Sequence, residues 1–444
     1  MLTVALLFGS FSATVNASPV EEIPASEIET VYEQTVDTNG LKGWAQGPQI
    51  YSESGIVMDV DSGAILYGKN IHDPHYPASI TKIATALIAL QNYKMDEIVT
   101  FEQADVDILE YDYAHIGIRP GEELVMEDCM YAMLLASANE VSHAIGAHME
   151  GGYEAFLEEM NAVAKELGCT DSNFVNTNGL HDPEHYTSAY DMALIGSALY
   201  EYEEFHKITT TMQYTIPATN LVNETRTFQQ KHKMLNPNRS QYYEYCTGGK
   251  TGYTDQALWT LVTFAEKDGK RLVAVVMRTH GSGNSYIDTK AMLDYAFDNF
   301  SKVEVTTEQL NNPNISKVNG DSYVMLPSGV TFEQLECTFE EPTTVGDKVG
   351  KVVYTYEGQN VGSIDVTITD EYYEEIHGIK KAEEKQAEEA KEGLTPAVKT
   401  VIFVVVVLVG AVLIYLLDRI HKKNKIRKLR RQKRKEIRKR KGIE

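Results

Sequence analysis

The apolar positions of this chain change period along its length, and each change predicts a different kind of element. Near residue 60 the runs GIVMDV and AILYG, and near residue 275 the run RLVAVVMR, are short, β-branched and continuous, as in buried strands. Between them apolar residues recur at helical spacing, as in IATALIAL after Lys82 and VMEDCMYAMLLA before Ser137. Strands at both ends with helices between predict one α/β (α+β) domain over 46–302, its first and last strands meeting in one sheet. From Val303 to Asp370 the texture turns to brief runs, SYVMLP, KVVYTY and SIDVTIT, cut by Asn, Gly, Pro and Asp. That pattern predicts a small all-β domain over 303–370.

The two ends follow other rules. Residues 371–399 carry Glu and Lys at i,i+3 and i,i+4 spacing and predict a solvated helical stalk. The run from Val401 to Leu417 has no charge and no polar face, which favours a transmembrane helix over 400–417 rather than a buried soluble helix. The tail at 418–444 holds 15 Lys/Arg against three acids. Positive charge stays inside, so the expectation is a single-pass protein of the cell membrane, its C-terminus cytoplasmic and its body extracytoplasmic. Anionic lipid, rather than nucleic acid, is the expected partner of the tail. At the N-terminus LTVALLFGSF and Val15-Asn16-Ala17 predict a signal peptide over 1–17, or an uncleaved anchor, followed by a polar lead at 18–45.

Composition narrows the function. Hydrophobic residues are 43% and charged residues 24%, the balance of a body that folds in water. The chain carries −23 even with its basic tail, so the body is more negative still. Nucleic acid is therefore excluded as its partner, since phosphate binding draws on clustered Lys and Arg. Cys129, Cys169, Cys246 and Cys337 are widely spaced, with no CxxC and no neighbouring His pattern. No metal site and no cofactor are expected, while paired cysteines and free thiols both remain open.

Three short motifs carry candidate chemistry. Ser79-Ile80-Thr81-Lys82 begins an apolar helical run, and Ser and Lys three apart on a helix share a face, so the amine can reach the hydroxyl. Such a spacing also arises by chance about once in a chain this long, given ordinary residue frequencies. Ser137-Ala138-Asn139 closes a helical run, where it would project a hydroxyl and an amide, or simply end the helix. Lys250-Thr251-Gly252-Tyr253 leads into strand-like residues. It would let a ligand approach the backbone and pair a carboxylate with Lys250 and Thr251, or else form a hairpin turn. A phosphate-binding loop is disfavoured because a strand, not a helix, follows.

In this order SxxK, SxN and KTG are the set found in penicillin-binding proteins and β-lactamases. With NFVNTNGLHDPEHYTSAYDMALI, GIRPGEELVMEDCMYAMLLASANE and GKVVYTYEGQNVGSIDV, the sequence resembles the serine D-alanyl-D-alanine carboxypeptidases over about Ile50 to Asp370. The resemblance implies a penicillin-binding/β-lactamase-like transpeptidase fold. It also implies hydrolysis of the terminal D-Ala-D-Ala bond of peptidoglycan stem peptides, with β-lactams as covalent inhibitors. By position it makes Ser79 the acylated nucleophile, Lys82 its base and Ser137 the proton relay. Asn139, Lys250, Thr251, Gly252 and Tyr253 become substrate contacts, and the N–H groups of Ser79 and Tyr253 the oxyanion hole.

The chain departs from the family pattern in having Asn178 for a frequent His, Tyr190 for a frequent Arg, and Arg278-Thr279-His280 after the last strand. The family's carboxylate-binding arginine has no clear counterpart, and Arg278 is the candidate substitute. A β-lactamase would need a second carboxylate to activate water, and no matching loop lies between Asn139 and Lys250. A non-enzymatic penicillin sensor or cell-wall scaffold is the alternative of another class; a scaffold would have lost Ser79 or Lys82.

Overall fold

The computed structural model describes residues 25–281, 283–342 and 346–376. Its central sheet is antiparallel and contains β1 (Ser52–Asp59), β2 (Ile65–Lys69), β3 (Cys246–Thr254), β4 (Leu258–Lys267) and β5 (Lys270–Thr279), in the order β2-β1-β5-β4-β3. Strands from opposite ends of the segment thus pair, with Val57 opposite Ala274. Successive side chains on a strand point to opposite faces. So β5 sends Val273, Val275 and Met277 into one core and Leu272, Ala274 and Val276 into another. Covering both faces explains why RLVAVVMR is apolar throughout instead of alternating. Each large side chain withdrawn from water contributes about 1.5–3 kcal/mol.

The first core belongs to the helices: α1 (Thr81–Asn92), α2 (Met126–Tyr131), α3 (Asn139–Ala147) and α4 (Ala189–Tyr200). All of Thr81 to Ala89 is buried, which requires an apolar sequence around the whole of α1 and leaves Lys82 enclosed. At the head of α4 the Ser188 hydroxyl accepts from Asp191 N at 3.1 Å. Asp191 in turn accepts from Asp171 N and the Ser172 hydroxyl, both at 2.7 Å, so the cap also fastens the preceding loop.

The second core lies under α5 (Asn284–Asn299). Here β6 (Phe300–Glu304) pairs with β8 (Tyr323–Pro327). Next to them β7 (Ile315–Val318), β9 (Glu336–Glu340), β10 (Val349–Tyr356) and β11 (Gln359–Ile368) form a sheet in the order β7-β11-β10-β9. Val324, Val352 and Tyr354 share a hydrophobic cluster with Trp44, Leu66 and Val276. The Trp44 ring lies edge-on to Phe300 at 5.1 Å and parallel to Tyr356 at 6.3 Å. The β-rich part therefore does not close on itself: its short strands are apolar on one face, and the outer side of the central sheet supplies the cover. Residues up to Thr367 form one compact unit and Ile368–Glu444 a second, of which only 368–376 is described.

The expected signal peptide, the start of the polar lead, the stalk beyond residue 376, the span at 400–417 and the basic tail lie outside the described residues. Among the described residues no helix is long and apolar enough to cross a membrane. All four cysteines are free thiols: Cys129 and Cys169 are buried, Cys246 half-buried and Cys337 exposed.

Candidate active site

Ser79 lies half-buried in a 3₁₀ turn, Ala78–Ile80, that runs directly into α1. The turn is held in an unusual shape, because Ala78 has φ +51°, a region non-glycine residues avoid. Three neighbours hold it there. Gly179, at φ +81°, packs so closely that a Cβ would lie 1.8 Å from the Ala78 carbonyl oxygen. The Thr81 hydroxyl donates to that oxygen at 2.9 Å. His185 Nδ1 accepts from Val175 N at 3.1 Å, which leaves Nε2 to carry the proton and donate to Thr81 Oγ1 at 2.8 Å. Burial, with the Lys82 charge adding to it against Asp182, pushes His185 down to about 4, so the ring stays neutral.

Lys82 sits one helical turn on and is fully buried. Its Nζ donates to Ser79 Oγ at 3.2 Å, Asn139 Oδ1 at 2.8 Å and the Asn178 carbonyl at 2.6 Å. Burial, then the charges of Lys250 and Lys231, hold its pKa well below the ordinary 10.5, and Glu140 opposes them only in part. Once deprotonated, the amine keeps two N–H groups, enough for Asn139 and Asn178, and its lone pair is free to face the Ser79 hydroxyl.

A backbone break lets Asn139 meet Lys82 while Ser137 meets a second lysine, Lys250. Residues two apart on a regular helix do not share a face. Here α2 passes into a wider π turn, Ala132–Ala136, and Ser137 adopts φ +64°, ψ +31° before α3 begins at Asn139. Ser137 Oγ accepts from Lys250 Nζ at 3.1 Å, and Lys250 also donates to the Thr251 carbonyl at 2.7 Å. Burial, with Lys231 adding to it, pulls Lys250 down to about 7.

Lys250, Thr251, Gly252 and Tyr253 lie on β3, the edge strand, with Lys250 opposite Val262 on β4. One side of the β3 backbone is therefore unpaired by the sheet and open to an added peptide. Gly252 lets the strand approach the nucleophile, since a Cβ there would lie 2.9 Å from Ser79 N. The Thr251 hydroxyl has no hydrogen-bond partner among the described residues, while Tyr253 is exposed, packed on Trp259 at 4.6 Å and bonded to Asp255 at 3.1 Å. The fold thus gathers three motifs separated by up to 171 positions, Ser79 to Lys250, around one pair of buried lysines.

The family model for peptidase S11, D-alanyl-D-alanine carboxypeptidase, matches residues 42–281, and the three motifs lie inside that span. The chain belongs to this family. D-alanyl-D-alanine carboxypeptidase DacF of Bacillus subtilis is 31% identical over 307 residues, covering 68% of this chain and 73% of the relative. DacA of Haemophilus influenzae is 26% identical over 345 residues, covering 72% and 85%. Among solved structures, penicillin binding protein 5 from Haemophilus influenzae superposes with a TM-score of 0.57 at 25% identity, over 73% of this chain and 98% of that one. The Streptomyces K15 DD-transpeptidase, at 23% identity, shares the fold with a TM-score of 0.53 over 57% and 100%. The α/β penicillin-binding fold is thereby shown.

Against this family background three groups at the site escape sequence reasoning. Asn178 contributes its backbone carbonyl, while its side chain turns back to accept from Leu180 N at 3.0 Å. Lys231 reaches the Ala136 carbonyl beside Ser137. Glu140 is buried, accepts from Ile116 N at 2.7 Å through Oε1 and is raised above the ordinary carboxylate range by burial. No motif marks Lys231 or the Asn178 carbonyl; Glu140 lies next to a motif but has the look of an ordinary first-turn helix acid. Arg278 is not brought to the KTG strand. Its Nε pairs with Glu53 at 2.8 Å and its Nη1 donates to the Gln256 carbonyl at 2.8 Å, and no polar contact joins it to Lys250 or Thr251.

Proposed function

We propose that the chain is a serine-type D-alanyl-D-alanine carboxypeptidase that removes the terminal D-alanine from peptidoglycan stem pentapeptides through an acyl-enzyme on Ser79. The observation that carries this reading is a fully buried lysine, hydrogen-bonded to a half-exposed serine and held beside a second buried lysine. Such an amine can be neutral at ordinary pH and take the Ser79 proton as Oγ attacks the D-alanyl carbonyl. The N–H groups of Ser79 and Tyr253 receive the developing oxyanion. Ser137, bonded to Lys250, passes the proton to the departing D-alanine nitrogen. Asn139 and the open side of β3 hold the peptide, and Lys250 with the Thr251 hydroxyl takes its terminal carboxylate. Water then cleaves the ester by the same proton transfers in reverse. β-Lactams enter the same path and stall at the ester, because their leaving group stays tethered.

The test pairs two assays on the purified chain: release of D-alanine from a pentapeptide, and turnover of penicillin. Rapid D-alanine release with a long-lived penicilloyl adduct is expected. Rapid penicillin turnover without D-alanine release would favour the β-lactamase reading, and neither activity would favour an inert scaffold. Glu140 argues against the β-lactamase, since one of its oxygens is committed to Ile116 N and the other is enclosed.

The same proposal includes an anchored topology, supported by the uncharged run at 400–417 and the charge step after it. Protease added to cells stripped of wall should remove the body and spare the tail; loss of the tail as well would overturn it.

A further inference from the structure

The end of β5 carries a residue in a conformation that its side chain disfavours. Arg278 has φ +49°, a left-handed region that costs a side chain free energy and glycine none. The pairing of β5 with β4 shows the origin: from Trp259 to Leu261 β4 advances two residues, while β5 runs back three, from Thr279 to Val276. One extra residue is thus bulged out of β5, and a bulge re-aims the side chain at that point. Arg278 Nε donates to Glu53 Oε1 at 2.8 Å and its Nη1 to the Gln256 carbonyl at 2.8 Å. Glu53 is itself fixed, because the same oxygen accepts from Nε2 of the buried His280 at 2.8 Å. Burial would raise the Glu53 pKa, but the His280 and Arg278 donors outweigh it and hold it below the ordinary 4.5, so the carboxylate stays charged.

Gln256 belongs to the turn between β3 and β4, three residues after Tyr253, whose N–H receives the oxyanion in the proposed reaction. Within the turn Ala257 N donates to Thr254 Oγ1 at 3.0 Å, and Tyr253 bonds to Asp255. Among the described residues, the Arg278 hydrogen bond is the one that reaches 255–257 from another element. Packing braces the turn poorly, since a cavity of about 450 Å³ adjoins it, with Tyr76, Tyr186, Gln256, Ala257 and Arg278 among its lining residues. The sheet supports β3 on one side only, because β3 is its edge strand. A planar, rigid guanidinium bridging β1 to the turn supplies the missing brace. We propose that Arg278 is a positioning residue for acylation: anchored on Glu53, it holds the β3–β4 turn by the Gln256 carbonyl and so keeps the Tyr253 N–H where the oxyanion forms. The inference rests on the carboxypeptidase reading. Arg278 touches no reacting atom and acts through Tyr253, and its left-handed backbone is what aims it at the turn.

The experiment compares the purified full chain with Arg278→Gly by kcat and KM for D-alanine release from a pentapeptide, by the rate of penicillin labelling, and by the affinity of a peptide boronic acid. The boron bonds to Ser79 Oγ and one of its hydroxyls takes the oxyanion's place, so this analogue reads the hole directly. Glycine adopts φ +49° without strain, which offsets the lost ion pair, and Tm should stay within about 4 °C. Labelling rate, kcat and boronic acid affinity should each fall about tenfold, short of the roughly 100-fold or more that follows outright removal of an oxyanion donor. KM should stay within about twofold, as for an interaction made only in the transition state. Arg278→Asn, which also tolerates the left-handed region but is too short to reach Gln256, should behave alike. Glu53→Ala should reproduce the loss without adding to it in the double variant, while Glu53→Gln, which keeps an acceptor for Arg278, should restore most of the rate. Unchanged kcat and boronic acid affinity would overturn the inference and leave the carboxypeptidase reading standing. So would a raised KM at constant kcat, the mark of direct substrate contact, or a loss that only follows the unfolded fraction. Absence of both D-alanine release and labelling in the unaltered protein would overturn both.

Discussion

Gly252→Ala tests whether the close approach of β3 to the nucleophile turn is what aligns Ser79. Gly252 has an ordinary φ, so the backbone accepts alanine without strain and the effect is purely steric. The new methyl carbon would lie 2.3 Å from Thr260 Oγ1, 2.9 Å from Ser79 N and 3.1 Å from Ile80 N. Thr260 cannot swing aside freely, because it is buried and donates to the Pro77 carbonyl at 2.8 Å; breaking that bond strands a buried acceptor. Relief must come from moving the Ala78–Ile80 turn away from β3, by roughly the 1 Å that separates these contacts from ordinary packing. Overpacking of this kind costs about 1–3 kcal/mol. A displacement of about 1 Å at a reacting atom costs on the order of 100-fold in rate. The second-order rate of labelling by a fluorescent penicillin should therefore fall by about two orders of magnitude while Tm drops only a few degrees. Adding Thr260→Ala should restore stability more than rate, since the two backbone nitrogens remain in the way. Gly40→Ala, which meets nothing within 4 Å, is the control. Labelling of Gly252→Ala at the unaltered rate, or a loss that only follows the unfolded fraction, would refute the argument.

Four further outcomes follow from the described geometry. Ser79→Ala should abolish penicillin labelling without unfolding, Lys82→Ala should lose nearly as much, and the double variant should be no worse, as for groups that act as a unit; residual labelling of Ser79→Ala would mean another nucleophile. The pH profile of kcat/KM should rise as Lys82 loses its proton and fall as Lys250 loses its own near 7, both limbs belonging to the coupled pair and lying below the ordinary 10.5. Lys231→Gln removes a positive neighbour from both lysines, so both hold protons longer and the profile should move to higher pH; a shift downward would contradict the assignment. Arg226→Ala should cost about 3–5 kcal/mol, because it abandons a buried charge: Glu122 is fully enclosed and receives Arg226 at 2.7 and 3.0 Å, Thr219 at 2.8 Å and Arg119 N at 3.0 Å. Burial alone would raise the Glu122 pKa, but these donors outweigh it and hold it below 4.5. Their stabilisation is therefore present above pH 4.5 and lost as pH falls through the folded value, so denaturant titrations should show the variant's deficit shrinking in acid.

What the sequence determined by itself is what depends on neighbours along the chain. Short, continuous β-branched runs make strands and the apolar all-round run after Lys82 makes a buried helix, whatever packs on them. Ser79 and Lys82 sit three apart, so helical geometry alone brings hydroxyl and amine together. The conjunction of SxxK, SxN and KTG was legible for the same reason, each being a short local pattern. The tertiary structure decided what depends on residues far apart. Only the fold places Asn178 and Asn139 on the other two protons of Lys82, and only a π turn ending in a left-handed residue lets Ser137 and Asn139 face one way. The charges that lower the lysines come from Lys231 and Lys250, whose effect depends on distance and burial, quantities a one-dimensional pattern does not contain. Arg278 shows the converse: adjacent in sequence to the right strand, it is drawn away by Glu53, a partner 225 positions earlier. The β-rich segment shares a core with Trp44 and Leu66 for the same physical reason. Half-apolar strands are recognisable one at a time, but the surface that covers them is chosen only when the whole chain has folded.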